Sequence, residues 1–351
     1  MANIKDVAKA SGVSKTTVSY VLNNGPRYVS PSTRARVLEV MHNLNYHPSG
    51  VARGLSRKRM NTIGVVTLAS VSSPLLDPYY LPIINGIIDA ATPEMQSVTL
   101  FNGNVWDLEH SRFPIFCDGR CDGLLIFIPP EGNPVIPVLK DQRIPFVVLN
   151  ESGNDPEVSS IDIDNVYVSC EMVTYLISKG HRRIACFAGS LGLHFGRERL
   201  EGYRLALGKA GIPFDPKLVM PCERGFAAGY EKARGEFASF SQRPTAIFAS
   251  EDMIALGAMT GLAEQGIRVP TDVSVVGIDY IEDAKKSTPP LTTMSQHLNR
   301  LGETAVDMLM ELIASGGTKI LKCVQPTELV IGGTVSTVVG ASPISDGPTA
   351  Q

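Results

Sequence analysis

Short apolar runs alternate with amphipathic stretches along most of this 351-residue chain, and that rhythm constrains its fold more than any other feature. Runs of strand length lie at Ile63–Leu68, Val98–Phe101, Gly123–Ile128, Phe146–Leu149, Ile184–Ala188, Ala246–Ala249 and Val273–Val276. Stretches of helical period fall between them, such as Val166–Ser178, Glu198–Ala210, Tyr230–Phe237 and Ile254–Glu264. Strand and helix in alternation predict an α/β fold of parallel sheets with right-handed crossovers. The series is too long for one sheet and divides near Asp162-Ile163-Asp164. Two doubly wound sheets facing a cleft are therefore expected, with any ligand at the carboxyl ends of the strands.

The first sixty residues break this rhythm. They carry ten Lys/Arg against Asp6 and Glu39, a charge of +8, whereas the remaining residues carry −11. A basic head on an acidic body suggests a module that binds a polyanion. Asn3 can cap a helix with Ile4, Val7 and Ala8 on one face, and Gly12 breaks it. Ser14 can cap a second helix with Val18, Val21 and Leu22 inward, ending at Asn23-Asn24-Gly25-Pro26. Ser30-Pro31 opens a third, with Val37, Val40, Met41 and Leu44 as its buried stripe. Two short helices around a glycine turn, closed by a third, make a helix-turn-helix. Its second helix enters the major groove in such modules, which gives the polar Lys15, Thr16 and Tyr20 a partner.

Other classes fall away. No apolar run reaches the roughly 20 residues of a membrane span, so a cytoplasmic protein without a membrane partner is expected. The six cysteines are scattered, and Cys117 and Cys121 lack a second ligand pair at zinc-site spacing, so neither a disulfide framework nor a metal is expected. No cofactor is implied. Gly-x-Ser-x-Gly, Walker, Gly-x-Gly-x-x-Gly and His-Glu-x-x-His motifs are all missing, which argues against an enzyme. His181, between a helix and a strand, reads as structural.

The run Ile4-Lys5-Asp6-Val7-Ala8, followed by Gly12-Val13-Ser14-Lys15-Thr16-Thr17-Val18-Ser19, resembles the lactose-repressor (LacI-type) family of bacterial transcription regulators. Val29-Ser30-Pro31-Ser32-Thr33-Arg34, Leu44-Asn45-Tyr46 and Pro48 continue the match. The resemblance implies an all-α head on a periplasmic-binding-protein-like core whose chain crosses three times between subdomains, near 162, 291 and 322. It divides the chain into a DNA-binding domain at 1–47, a hinge at 48–61, a core at 62–340 and a disordered tail at 341–351. The first subdomain would hold about 62–162 and 292–322, and the second about 163–291 and 323–340.

The resemblance also implies roles. Lys15, Thr16 and Tyr20 would read base edges, while Ser14, Thr17, Ser19, Ser30 and Thr33 would grip phosphates of operator DNA. Leu55, with Ala52, would wedge into the minor groove. Asp77, Tyr79, Asn150, Arg197, Phe226, Glu251 and Asp279 would hold a small effector, with Arg199 left to surface or helix packing. Glu251 stands where the family usually has Asn, so the accepted hydroxyl pattern should differ. A sugar is the leading effector class and a nucleobase the alternative. A homodimer is expected, because one head covers only a half-site and the tail after Thr334 has no leucine repeat for a tetramerising bundle.

Overall fold

The computed structural model describes residues 2–23, 27–47, 59–67, 75–101, 115–127, 135–150 and 155–338. The expected wedge residues Ala52 and Leu55, and the expected tail, lie outside them. The chain divides into two compact units, Met1–Asn61 and Thr62–Gln351.

Among the described residues the head holds three helices. In α1 (Ile4–Ser11) the Asn3 side chain accepts from the N–H of Lys5, while Asp6 accepts from the N–H of Asn3 at 2.9 Å. That reciprocal cap satisfies orphan donors of the first turn. Ser14 Oγ accepts from the N–H of Thr17 at 3.0 Å, starting α2 (Lys15–Asn23). Ser30 caps α3 (Pro31–Asn43), with Pro31 at its first position. Val7, Ala8, Val18, Val21, Val37 and Met41 make one buried cluster from all three helices. Arg34 Nη1 donates to the Val21 carbonyl at 3.0 Å and so ties α3 to the last turn of α2.

The second unit begins with β1 (Thr62–Val66), α4 (Tyr80–Ala91), β2 (Ser97–Phe101), β3 (Gly123–Phe127), α5 (Val135–Asp141), β4 (Phe146–Leu149) and β5 (Ser160–Asp162). It continues through α6 (Asn165–Ser178), β6 (Ile184–Gly189), α7 (His194–Lys209), β7 (Val219–Pro221), α8 (Phe226–Arg234), β8 (Ala246–Ala249), α9 (Asp252–Ala263), β9 (Ser274–Asp279), α10 (Glu282–Lys286) and β10 (Thr292–Ser295). The last elements are α11 (Leu298–Ala314), β11 (Lys322–Val324) and β12 (Glu328–Val330). Two six-stranded sheets result, ordered β11-β5-β4-β3-β1-β2 and β12-β10-β9-β8-β6-β7. Among the described residues all pairings are parallel except β10 with β12. Every residue of β3, β4, β6, β8 and β9 is buried, as expected for apolar runs covered on both faces by helices.

Two of the expected crossings move. The strand Thr292–Ser295 pairs with β9, Thr292 opposite Val276 and Met294 opposite Ile278, so it belongs to the second lobe rather than the first. The chain crosses after it, at Gln296-His297, where His297 takes φ 50°. Lys322–Val324 pairs with β5 and stays in the first lobe, so the third crossing follows Val324. Both boundaries are set by pairing between distant strands, which local composition does not report. The first crossing falls between β5 and β6, which belong to different sheets.

His181 is buried between Thr245 Oγ1 at 2.9 Å and the Ser336 carbonyl at 3.1 Å, pinning the last described segment to the second lobe. Among the described residues no helix is long and apolar enough to cross a membrane, and no cluster of side chains could hold a metal ion.

Candidate functional site

Lys15 and Thr16 are exposed in the first turn of α2, and Tyr20 is half-buried further along it. The Ser14 and Thr17 hydroxyls lie 2.9 Å apart at the start of the helix. Ser30 Oγ donates to Thr33 Oγ1 at 2.8 Å and caps α3. Ser19 is half-buried. Four of the five residues expected on phosphates therefore already hold the helix starts, and their hydroxyls keep capacity for an anion beside positive dipole ends.

The second candidate site lies between the lobes. The first sheet reverses its order at β1/β3 and the second at β6/β8, the switch points at which loops diverge and leave a crevice. Tyr79, before α4, Asn150, after β4, and Asp162, at the end of β5, face Phe195 and Arg199 of α7. Arg224, after β7, Glu251, after β8, and Asp279, at the end of β9, complete the lining of the cleft.

The pocket is polar, buried and largely preset. Arg199 donates through Nε to Asn165 Oδ1 at 2.9 Å and through Nη1 to the Ser250 carbonyl, with its guanidinium 5.0 Å from the Phe195 ring centre. Arg224 Nε donates to Glu251 Oε1 at 3.0 Å. Burial opposes the charge of Arg224, yet the Glu251 carboxylate holds its guanidinium above the ordinary value. Asn150 is 5% exposed, and its Oδ1 accepts no hydrogen bond. Gln296 Nε2 donates to Asp279 Oδ1 at 2.6 Å, and Gln296 Oε1 accepts from the Tyr79 hydroxyl at 3.3 Å. The crossing segment thus joins a residue of each lobe.

Beneath Asp279 lies Asp252, fully buried. It accepts from the Thr293 hydroxyl and from the N–H of Ile281 at 3.1 Å. Burial nevertheless pushes its carboxyl up to about 6. Asp279 is raised well above the usual carboxylate range, by burial first and then by the charge of Asp252. Burial, followed by Asp279, raises the Tyr79 phenol. Asn150 and Asp279 take φ 58° and 140°, left-handed conformations that concentrate at functional sites because they cost about 1–3 kcal/mol each.

Of the seven residues expected around an effector, the cleft brings together Tyr79, Asn150, Glu251 and Asp279. Three do not join them. Arg197 is exposed and donates to the Leu191 and Gly192 carbonyls at 3.3 and 3.1 Å; Arg199 takes the inward place instead. Phe226 is 40% exposed in the first turn of α8 and lines a separate apolar groove with Met253, Leu256 and Met259. Asp77 Oδ1 accepts from the N–H groups of Tyr79 and Tyr80 at 2.8 and 3.4 Å, so it organises the start of α4 rather than the pocket. Asp162, Phe195, Arg199 and Arg224 were not expected there. Helical spacing carried a signal for two of them: Phe195, Arg199, Gly202, Tyr203 and Ala206 form the buried stripe of α7, which excludes Arg197. Arg224 lies between elements and had no such signal.

A basic helix-turn-helix joined to a two-lobed α/β core with a polar cleft defines a ligand-responsive, DNA-binding transcription regulator. Residues 3–49 match the family described as bacterial regulatory proteins, lacI family, and residues 173–335 match the periplasmic binding protein-like domain. The HTH-type transcriptional repressor PurR of Erwinia tasmaniensis is 36% identical over 90% of this chain and 91% of its own length. Its namesake in Yersinia pestis bv. Antiqua is 35% identical over the same shares. Among solved structures, the lac repressor dimer bound to operator and the anti-inducer ONPF superposes with TM-score 0.81 and 31% identity, covering 95% of this chain and 99% of that one. The complex of the regulator CelR with cellobiose gives 0.73 and 30%, covering 95% and 100%. The chain belongs to the lacI family of bacterial regulatory proteins.

Proposed function

We propose that this chain is a cytoplasmic repressor whose affinity for operator DNA is set by a small polyhydroxylated ligand, a sugar, held between the lobes by Asn150, Arg199, Glu251 and Asp279. The observation that carries this reading is the buried cleft itself. A 5%-exposed Asn150 with an unpartnered Oδ1, beside an arginine and acids held in place by other protein groups, costs free energy unless a polar ligand answers it. No residue pair in it is disposed as a nucleophile with its base, and the named relatives are repressors, which favours binding over catalysis.

On the DNA, Lys15, Thr16 and Tyr20 would read bases, and Ser14, Thr17, Ser19, Ser30 and Thr33 would set the register, with Ala52 and Leu55 opening the centre of the site. A phenol at Tyr20 lacks the bidentate fork that arginine offers guanine, so the preferred half-site is this chain's own. Two copies would meet two half-sites, and the apolar groove of Phe226, Met253, Leu256 and Met259 suits a second copy of the chain. The test is quantitative binding to a library of operator variants. Lys15→Ala and Tyr20→Ala should reorder the preferred sequences, while Thr33→Ala should weaken all of them alike. Uniform losses for all three variants would contradict the base-reading assignment.

A further inference from the structure

Arg224 belongs to the second lobe but reaches the first. Its guanidinium lies 5.9 Å from the ring centres of both Tyr79 and Tyr80, and 6.0 Å from that of Phe195. Its ion pair with Glu251 uses only Nε–H of the five N–H groups. Glu251 meets it through Oε1, leaving Oε2 without a hydrogen bond. The two side chains are 23% and 6% exposed, so the pair is part of the cleft wall and not of the outer surface. It presents donors beside an acceptor and is neutral as a unit.

We propose that Arg224 and Glu251 together read two adjacent hydroxyls of a carbohydrate effector and keep planar bases out of the cleft. This rests on the cleft being the effector site. A hydroxyl both donates and accepts. The Nη edge of Arg224 can donate to one or both oxygens, while Glu251 Oε2 accepts from an O–H. A planar base is held by stacking on an aromatic face, and here arginine guanidinium groups stand beside the rings that line the cleft. The Arg224 guanidinium is 5.9 Å from the ring centres of Tyr79 and Tyr80 and 6.0 Å from that of Phe195, and the Arg199 guanidinium is 5.0 Å from Phe195, so both compete with a base for those faces. A ligand lacking either hydroxyl leaves part of a buried charged pair unanswered, which is the strongest form of discrimination available to a binding site.

The test is titration calorimetry on the full chain. The probes are glucose, galactose, mannose, xylose, ribose and cellobiose, the monodeoxy analogues of whichever binds, and adenine, guanine and hypoxanthine. A carbohydrate should bind saturably, and removing either of two neighbouring hydroxyls should weaken it about tenfold or more. Arg224→Gln and Glu251→Gln, each shown by circular dichroism to fold, should lose the difference between the parent sugar and its deoxy analogues, a change that a purely structural role would not produce. Full discrimination in both variants overturns the proposal. Binding of a base in place of the sugars overturns it too, while leaving the cleft as the effector site. Silence from every probe removes the cleft reading as well.

Discussion

Arg197 and Arg199 lie two residues apart on one helix and have opposite fates. The resemblance points to the first, whereas the 3.6-residue period of α7 turns the second inward with Phe195 and Tyr203. Replacing Arg199 with Ala leaves Asn165 Oδ1 and the Ser250 carbonyl without a donor in a buried site. Arg199→Ala should therefore cost about 2–3 kcal/mol of stability, whereas exposed Arg197→Ala should stay within about 0.5 kcal/mol. Urea titration of the two variants checks this, and similar midpoints would put the inward role of Arg199 in doubt. Residue chemistry also explains why half of the cleft was legible beforehand. Asn150, Glu251 and Asp279 each follow a recognisable apolar strand, so their position at its carboxyl end is a local property. Arg224 follows a three-residue strand with one buried position, too short to stand out from its surroundings.

At the scale of elements, close packing of helices decides what may stand between them. Helices α4 and α11 cross at Gly86 and Gly302. A Cβ at Gly86 would lie 1.9 Å from the Asn299 carbonyl oxygen, and one at Gly302 would lie 2.2 Å from that of Ile83. Gly86→Ala must push the helices apart and should destabilise by about 1–3 kcal/mol. Gly208 sits in α7 with nothing within 4 Å of its would-be Cβ, so Gly208→Ala should stabilise by up to about 1 kcal/mol. Thermal melts of the two variants should move in opposite directions; a fall for both would mean that α7 is not free at that position. Strands β3, β4, β6, β8 and β9 were readable from sequence because every residue in them is buried. The short strands β5, β7, β11 and β12, and the polar β10 (Thr-Thr-Met-Ser), carry no such run and are strands only because a neighbour pairs with them.

For the molecule as a whole, the buried Asp252–Asp279 pair links stability to pH. A carboxyl raised to about 6 binds its proton more tightly folded than unfolded, where its value is 3.8. Its contribution is full below about 4 and is lost as pH rises through 6, on the order of 3 kcal/mol. His181, lowered by burial, acts the other way, since the unfolded chain binds its proton more readily below its ordinary 6.5. The comparison that isolates the carboxyl is Asp252→Asn. The slope of unfolding free energy against pH between 5 and 7 should be more negative in the parent than in this variant, whatever the variant's absolute stability, and equal slopes would exclude the linkage. What the sequence determined by itself was everything set by neighbours in the chain: the capped helices and basic charge of the head, the long buried strands, and the α/β alternation that makes two lobes. What only the tertiary structure decided was which lobe owns the strands near 292 and 322, and which arginines enter the cleft. Those outcomes depend on pairing, burial and charge between residues far apart in the chain, so no local pattern encodes them.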